Sequence, residues 1–419
     1  MGKTIAEKLL SRAAGKELAA GEFALVKVDL CLLQDGTGPL AIRQYEKMGL
    51  AGVANPEGTV LFLDHAAPSP RKELSNDHIL MRRFAEETGA VLSEVGDGVC
   101  HQVMSECYTR PWAVLVGADS HTCTGGALGA FATGMGSTDV AVAMGLGQTW
   151  MRVPETIRVE ARGELRPWVT SKDVILHVIG RLGADGATYM ALEYGGDAVR
   201  AMTLESRLVL SNMAVEAGAK AGLCAADAVT RGYLARHGRE ADFSEIAPDP
   251  DAAYADTLKV DCSALEPTVS KPHAVDNTAT VDEVAGTKVD QVFLGSCTNG
   301  RLEDLELAAR ILRGRRRHPR TRLVVVPASR RVYLEAMASG ALPALVEAGA
   351  AVVTPGCAAC VGVHSGILGD GEVCVATTNR NFVGRMGNPE GLVYLASPAV
   401  AAAAAVAGEI VHPKEFLGA

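Results

Sequence analysis

The sequence predicts an α/β fold in which helices cover mostly parallel sheets. Short apolar runs rich in β-branched residues alternate along the chain with longer segments of helical periodicity. The chain has 419 residues, 48% of them hydrophobic, which is enough to bury several cores. Cysteine-bearing and charged motifs directly follow several of the apolar runs, and α/β proteins build their sites past the carboxyl ends of strands.

Individual elements follow from these patterns. The expected strands are residues 24–30, 59–65, 112–117, 156–161, 291–295, 322–327, 350–355 and 373–378. The expected helices include residues 76–89, 171–183 and 303–314. A glycine-rich stretch, 125–148, has no GxGxxG motif after a strand, so we interpret its glycines as sites of close helix packing and not as a dinucleotide fingerprint.

Two boundaries divide the chain. A new strand-rich segment begins after Pro154, and residues 245–285 are dense in Pro, Asp and Ser, which is typical of a linker. We therefore expect three α/β domains: residues 1–154, residues 155–284, and residues 285–419, the last of which carries the most distinctive cysteine motifs.

Charge and hydropathy exclude several classes of protein. A formal net charge of −9 argues against nucleic-acid binding, which normally needs a basic face. The longest apolar run, 397–408, is too short to span a bilayer, and the N-terminal residues lack the pattern of a signal peptide. Ten cysteines without a secretion signal indicate a reducing compartment. We expect a cytoplasmic protein with no nucleic-acid or membrane partner.

Three cysteines form the most informative pattern. Cys297 lies in GSCTNGR, and Cys357 and Cys360 lie in TPGCAACVG, each motif following an apolar run. A Cys-x-x-Cys pair alone also fits a redox pair, half of a zinc site or chance. Structural zinc takes four protein ligands, whereas a cubane iron–sulfur cluster held by three thiolates has one metal corner open. The set of three therefore indicates a Lewis-acid cluster. Most of the other seven cysteines are expected to be buried as small apolar residues.

Paired acids and histidines close two other apolar runs. Asp64 and His65 follow VLFL, and Asp119, Ser120 and His121 follow VLVG with one intervening alanine. A carboxylate beside an imidazole can orient it and keep it protonated for general-acid catalysis. A turn that begins with Asp explains either motif alone equally well, but its repetition after two buried strands favours a site.

Other polar residues stand in apolar or glycine-rich surroundings. His101, Gln34, Asn212 and Glu216 are of this kind, and Asn212 and Glu216 would share one helix face because they are four residues apart. A structural role remains the alternative for each. Arginine side chains in the segment 377–389 could clamp carboxylates through paired hydrogen bonds, although solvated surface arginines are common. These are Arg380 and Arg385.

Taken in order, these motifs resemble one known family. GADSHT, LDHAAPS, CHQV, SNMAVEAGA and TTNRNFVGR, together with the two cysteine motifs, cover nearly the whole chain. The sequence closely resembles the aconitase superfamily, and within it the large subunits of 3-isopropylmalate dehydratases and homoaconitases. The resemblance implies three α/β/α domains of aconitase type with the iron–sulfur site between them, and without the fourth, swivelling domain of single-chain aconitases.

The resemblance also implies a role for each site residue. It implies a [4Fe-4S] cluster, with one labile, substrate-binding iron, on Cys297, Cys357 and Cys360. The implied catalytic residues are Asp64, His65, His101, Asp119, His121 and Glu216. The implied substrate-binding residues are Gln34, Ser120, Asn212, Arg380 and Arg385. Asn299 and Asn379 are implied to lie in the environment of the cluster. One departure stands out: Ala358 and Ala359 replace the Gly-Pro common in the family, which puts the rigidity of this turn in doubt.

The implied activity is that of a hydro-lyase that moves a hydroxyl between neighbouring carbons of a 2-substituted malate. The expected reaction is the conversion of 2-isopropylmalate to 3-isopropylmalate in leucine biosynthesis, with homocitrate, dimethylmalate or citramalate chemistry as alternatives. The implied partner is a small subunit that carries the swivelling domain and a serine base, and the pair is compatible with a heterotetramer. Two alternatives from other classes are an iron–sulfur redox protein and an RNA-binding apoprotein.

Overall fold

The computed structural model describes residues 2–50 and 52–417. The strands are β1 (Phe23–Lys27), β2 (Leu30–Gln34), β3 (Thr59–Phe62), β4 (Val91–Ser93), β5 (Val114–Gly117), β6 (Phe131–Gly134), β7 (Gln148–Arg152), β8 (Thr156–Arg162), β9 (Ala191–Gly195), β10 (Ala221–Cys224), β11 (Asp256–Asp261), β12 (Thr268–Ser270), β13 (Thr278–Thr280), β14 (Gln291–Gly295), β15 (Arg322–Val326), β16 (Ala351–Val352), β17 (Val373–Ala376) and β18 (Leu392–Leu395).

Helices connect most of these strands. The α-helices are α1 (Ile5–Ala14), α2 (Gly38–Met48), α3 (Lys72–Thr88), α4 (Cys100–Cys107), α5 (Ser137–Leu146), α6 (Ser171–Leu182), α7 (Asp197–Ala201), α8 (Leu204–Met213), α9 (Ala228–Arg236), α10 (Ser296–Asn299), α11 (Leu302–Leu312), α12 (Arg330–Ala338), α13 (Ala341–Glu347), α14 (Pro398–Ala407) and α15 (Lys414–Leu417). Short 3-10 helices include Ser120–Leu128, Ala214–Ala217 and Ala358–Val361.

Three sheets form the framework, and they confirm the predicted α/β class. The first sheet has the order β4-β3-β2-β5-β6, and the second has the order β10-β9-β8-β11; both are parallel. The third has the order β13-β12-β18-β17-β14-β15-β16 and is parallel except at β12 and β13. The central strands are fully buried, which explains why they appear in the sequence as continuous apolar runs.

The first predicted strand, 24–30, is wrong in its extent. The structure has two strands there, β1 and β2, separated by two residues. β1 pairs antiparallel with β7 in a separate two-stranded ribbon, and its burial alternates along the strand. β1 is half exposed and β2 is fully buried, but both are rich in apolar residues. The continuous apolar run therefore did not show where β1 ends and β2 begins.

The predicted linker, 245–285, is also wrong. Its residues form β11, which pairs with β8 in the second sheet, and β12 and β13, which belong to the third sheet. The expected boundary at residues 284–285 therefore falls after strands that already belong to the third sheet. Proline and aspartate are frequent here because they surround short strands at the edges of two sheets.

Glycines in the stretch 125–148 allow two elements to approach closely. A Cβ atom on Gly126, in the 3-10 helix Ser120–Leu128, would lie 2.0 Å from the carbonyl oxygen of Gly222 on β10. The backbones of the first and second sheet units meet at this point, as expected for packing glycines. Within residues 2–50 and 52–417, no helix combines the length and the apolar character needed to cross a membrane.

Candidate active site

Loops that follow strands of the first and third sheets meet around a cavity of about 160 Å³. It is lined by Gln34, His65, Val99, His101, Asp119, Ser120, His121, Cys297, Cys357, Cys360, Val361, Asn379, Arg380 and Arg385. Residues from distant parts of the chain thus share one small polar space. Among the residues expected at the site, Asp64, Asn212 and Glu216 lie directly behind this lining and contact it through hydrogen bonds.

Three buried cysteine side chains converge on the cavity. Cys297 lies on α10, directly after β14, and Cys357 and Cys360 flank the start of the 3-10 helix Ala358–Val361. Their sulfur atoms have polar neighbours. The Nδ2 atom of Asn212 donates to the Sγ atom of Cys297 at 3.4 Å, and the Nδ2 atom of Asn379 donates to the same sulfur at 3.6 Å.

The second cysteine pair has its own charged neighbour. Arg385 donates from Nη2 to the Sγ atom of Cys360 at 3.8 Å. The hydrogen bond from Cys357 and the guanidinium of Arg385 hold the pKa of Cys360 well below its ordinary value. The same hydrogen bond, with burial, holds the pKa of Cys357 well above its ordinary value.

This cysteine set fits a cluster held by three thiolates. The three side chains are between 1% and 4% exposed, yet all line an open cavity instead of packing against apolar atoms alone. Amide and guanidinium donors directed at sulfur stabilise negative charge on it. Neighbouring His, Asp and Cys ligand atoms also lie close together, in the sets Asp64–His65–Cys100 and His101–Asp119–His121.

The turn between the paired cysteines carries backbone strain. Ala358, at the position where the family commonly has glycine, has a φ of 54°. This left-handed conformation suits glycine and costs an L-residue about 1 kcal/mol. The departure noted in the sequence therefore affects backbone conformation directly, while the Cys-x-x-Cys spacing is kept.

His65 lies between two carboxylates. Its Nδ1 atom is 2.9 Å from Oδ1 of Asp64, and its Nε2 atom is 3.5 Å from Oδ2 of Asp119. Burial disfavours the charged imidazole, but the two carboxylates outweigh it and raise the pKa of His65 well above its ordinary value. The raised pKa favours the imidazolium form of His65 at the cavity wall.

Asp119 connects three histidines. Its Oδ1 atom lies 2.9 Å from Nε2 of His101 and accepts a hydrogen bond from the backbone N–H of His121 at 2.8 Å. Although burial would raise the pKa of Asp119, the nearby histidines, His101 first, hold it well below the ordinary value. Gln34 donates to the other oxygen at 3.3 Å. A charged carboxylate therefore organises this wall of the cavity.

A second acid joins the second sheet unit to the third. Glu216 lies 2.7 Å from Nε2 of His121 and accepts from Nε of Arg380 at 2.8 and 3.0 Å. These partners lower the pKa of Glu216 despite its burial. Arg380 is thereby held at the cavity by an ion pair.

A main-chain hydrogen bond fixes the cysteine turn to the acid pair. The backbone N–H of Cys357 donates to the carbonyl of Asp64 at 2.9 Å. The side chain of Asp64 makes a second contact, because its Oδ2 atom accepts from the backbone N–H of Cys100 at 2.7 Å. The loop after β3 is therefore fixed to the turn that carries Cys357, a candidate metal ligand, and to the start of α4.

The side chain of Asn299 does not line the cavity. Its Nδ2 atom donates to Oδ1 of Asp304 at 2.9 Å, at the start of α11. Ser120, by contrast, lines the cavity and also a neighbouring groove of about 500 Å³. The groove and the cavity share Asp119 and Ser120, so this side of the site opens to the surface.

Sequence reasoning missed two supporting residues. Asp35, the residue after Gln34, has a buried carboxylate that accepts from the backbone N–H groups of His65 and Ala66 at 2.8 and 2.9 Å. It also lies 2.8 Å from Nε2 of His78, on α3. The QDG sequence after β2 was a signal for Asp35, whereas His78 looked like any polar residue of an amphipathic helix.

Comparisons with known proteins agree with this geometry. The family description "Aconitase family (aconitate hydratase)" matches residues 7–287 and 275–408. The chain belongs to the aconitase family.

Particular relatives within the family are more informative. The chain is 58% identical to the 3-isopropylmalate dehydratase large subunit of Elusimicrobium minutum, with 100% of both chains covered. It is 54% identical to 3-isopropylmalate dehydratase large subunit 1 of Thermotoga maritima, again with 100% of both chains covered. The crystal structure of Thermococcus kodakaraensis aconitase X matches with a TM-score of 0.50 at 13% identity, covering 85% of this chain and 84% of that one, and supports the fold alone.

Proposed function

We propose that this chain is the cluster-bearing large subunit of a hydro-lyase that converts 2-isopropylmalate to 3-isopropylmalate in leucine biosynthesis. The observation that carries the proposal is the position of the His65 cation, between Asp64 and Asp119, on the wall of the cavity that the three cysteines line. Full-length relatives named 3-isopropylmalate dehydratase large subunit support the choice of substrate. The reducing cytoplasm suits thiolates that hold iron and sulfide.

Residues of this chain supply the acid half of the reaction. A β-hydroxyl leaves as water only if it receives a proton, and His65 holds one at the cavity wall. After the transfer a proton from solvent returns to His65, and the two carboxylates favour this uptake because they stabilise the imidazolium. His101 and His121 surround Asp119 and keep that carboxylate ionised and oriented.

The arginines and the cluster site are proposed to bind the substrate. Cys297, Cys357 and Cys360 would hold a [4Fe-4S] cluster whose labile iron supplies Lewis acidity toward the substrate hydroxyl and carboxylate. Arg380 and Arg385 line the cavity and bind the substrate carboxylates. Gln34, Ser120 and Asn212 add hydrogen bonds around the same space.

The base that removes the α-proton is proposed to come from a second chain. The relatives are named large subunits, which implies a small-subunit partner. We propose that the partner brings the swivelling domain and a serine base to the open side of the site, where the groove of about 500 Å³ meets Asp119 and Ser120. Two such pairs would form a heterotetramer.

An anaerobic assay of the reconstituted pair tests this function. The purified large subunit, its small subunit and the mixture are supplied with 2-isopropylmalate, homocitrate, citramalate and dimethylmalate, and alkene formation is followed by ultraviolet absorbance. We expect turnover by the mixture, with 2-isopropylmalate the best substrate. Full activity of the large subunit alone would overturn the divided site, and a preference for homocitrate would overturn the substrate assignment.

A further inference from the structure

A fully buried lysine lies behind the cysteine site and has no place in the proposed chemistry. Lys172 is in the first turn of α6, in the second sheet unit, and is 0% exposed. Its Nζ atom donates to the carbonyl oxygen of Thr377 at 3.0 Å and also to that of Thr378. A buried ammonium at the positive end of a helix is costly, so its environment must compensate it.

The two acceptor carbonyls belong to the loop that carries site residues. They directly precede Asn379, which contacts the sulfur of Cys297, and Arg380, which pairs with Glu216. The loop has a second anchor, because the Oγ1 atom of Thr377 accepts from the backbone N–H of Gly295 at 2.9 Å. Gly295 ends the strand that leads into Cys297.

The residue next to Lys172 fastens the same helix end to the third sheet. Asp173 is also fully buried, and Oδ1 of its carboxylate accepts from the backbone N–H of Thr268 on β12 at 2.9 Å. Two consecutive, oppositely charged residues of α6 thus contact the third sheet unit at two places.

Charged groups around Lys172 oppose the effect of its burial. Burial lowers the pKa of Lys172 to about 7, and the negative charges of Cys360, Asp304, Asp173 and Cys297 act in the opposite direction. Thiolates that hold a metal cluster keep their negative charge. The lysine and the cysteine set therefore support each other.

We propose that Lys172 is a positioning residue that holds residues 377–380 so that Asn379 faces the cysteine sulfurs and Arg380 faces the substrate carboxylate. The lysine acts through these two residues. The effect on substrate binding rests on the proposed function, whereas the effects on the loop and on the cluster rest only on the geometry of the cysteine site.

Replacement of the lysine by a side chain of similar length tests the proposal. Lys172→Met removes the charge and both hydrogen bonds. The matched control is Arg207→Met, because Arg207 is equally buried but pairs with Asp227 in the second sheet unit through two hydrogen bonds of 2.9 Å. Both variants lose a buried cation and its ion pairs or hydrogen bonds, and only one of them contacts the site loop.

Three measurements separate positioning from a general loss of stability. Hydrogen exchange of the apoprotein measures the protection of residues 377–385. Electron paramagnetic resonance measures the g values of the reduced cluster in the reconstituted two-subunit complex. Steady-state kinetics of the same complex measure KM and kcat for 2-isopropylmalate. For Lys172→Met we expect faster exchange in this segment, changed g values, and a KM raised about tenfold with a smaller change in kcat, as loss of a charged hydrogen bond predicts. Arg207→Met should keep the wild-type spectrum and KM.

Some outcomes would overturn the inference. The inference is wrong if Lys172→Met has the exchange rates and the spectrum of the wild type. It is also wrong if Arg207→Met changes the exchange rates and the spectrum as much as Lys172→Met does. If Lys172→Met does not fold, Lys172→Gln, which keeps a donor without the charge, is measured in the same way. A wild-type complex that holds a cluster but turns over no malate would contradict the proposed function and leave the exchange and spectral tests of Lys172 intact.

Discussion

Arg380 donates its Nε hydrogen to both carboxylate oxygens of Glu216, at 2.8 and 3.0 Å, across 164 positions of sequence. This ion pair engages the guanidinium through Nε. Arg380 also lines the cavity, and its remaining N–H groups are the donors that we propose for a substrate carboxylate. Glu216 therefore orients Arg380 through a different nitrogen from the ones proposed to bind substrate.

The first prediction concerns this guanidinium. Arg380→Met should raise the KM for 2-isopropylmalate about 10- to 100-fold, because a hydrogen bond to a charged group contributes about 1.5–3 kcal/mol. Steady-state kinetics of the reconstituted pair measure the effect. Arg43→Met, which removes an exposed arginine paired with Asp77, serves as the control and should leave KM unchanged. Equal KM values in the two variants would show that Arg380 does not bind the substrate.

The second prediction concerns metal binding. Cys357→Ser should abolish incorporation of the [4Fe-4S] cluster and reduce activity to background, since a serine hydroxyl is a poor replacement for thiolate. Iron and sulfide content and visible absorbance measure the loss, and circular dichroism checks that the fold is kept. Cys107→Ser changes the one exposed cysteine and should bind a full complement of iron. A complete cluster in Cys357→Ser would exclude Cys357 as a ligand.

The third prediction is a shift in pH dependence. The raised pKa of His65 depends partly on Asp119, so Asp119→Asn should lower that pKa and move the alkaline limb of kcat/KM to lower pH. The alkaline limb moves to lower pH because an acid is active only while protonated, and a lower pKa means that the proton is lost at a lower pH. The stability that the charged His65 contributes is present below its unfolded pKa and is lost as pH rises through its folded pKa. Asp119→Asn should therefore reduce this contribution.

The measurements for this variant are a pH–rate profile and an NMR titration of the imidazole. Asp77→Asn, which changes a carboxylate at the surface, provides the comparison and should leave the profile where it is. An alkaline limb that does not move in Asp119→Asn would mean that His65 is not the acid of the rate-limiting step.

The fourth prediction concerns stability. Gly126→Ala should lower the free energy of unfolding by about 1–3 kcal/mol, because the new methyl group would collide with the backbone of Gly222. Gly232, within α9, has no atom within 4 Å of an added Cβ. Gly232→Ala should be neutral or stabilise by up to about 1 kcal/mol. Denaturant unfolding of both variants measures the difference, and equal effects would contradict the close approach at Gly126.

The sequence was sufficient to predict the strands that lead to the site. Buried strands such as β3, β5 and β14 are continuous apolar runs, and the polar residues that follow them end up at one cavity because parallel strands place their carboxyl ends on the same side. The sheets confirm the α/β class, and the match to the family description confirms the family. The edge strand β13 and its neighbour β12 were missed, since three residues among prolines and aspartates give no clear periodicity.

Some residues of the site could not be predicted because their role depends on tertiary contacts. Lys172 occupies a helical first turn, where a lysine would ordinarily be solvated, and only the packing of α6 against the third sheet buries it. Asn299 remains predicted to lie in the environment of the cluster, and its hydrogen bond to Asp304 in α11 is a further contact that the motif did not indicate. Neither outcome has a signature in local sequence.

The main-chain hydrogen bond between Cys357 and Asp64 has a consequence for how this enzyme family can change. It fixes the main chain of the cysteine turn relative to the main chain of the acid pair, independent of side-chain rotamers. On the proposed function, new substrates would be accommodated by altering the open side of the cavity, or by exchanging the small subunit proposed to cover it, while this main-chain contact stays unchanged. Division into two chains would place the constant part and the variable part under separate genetic control.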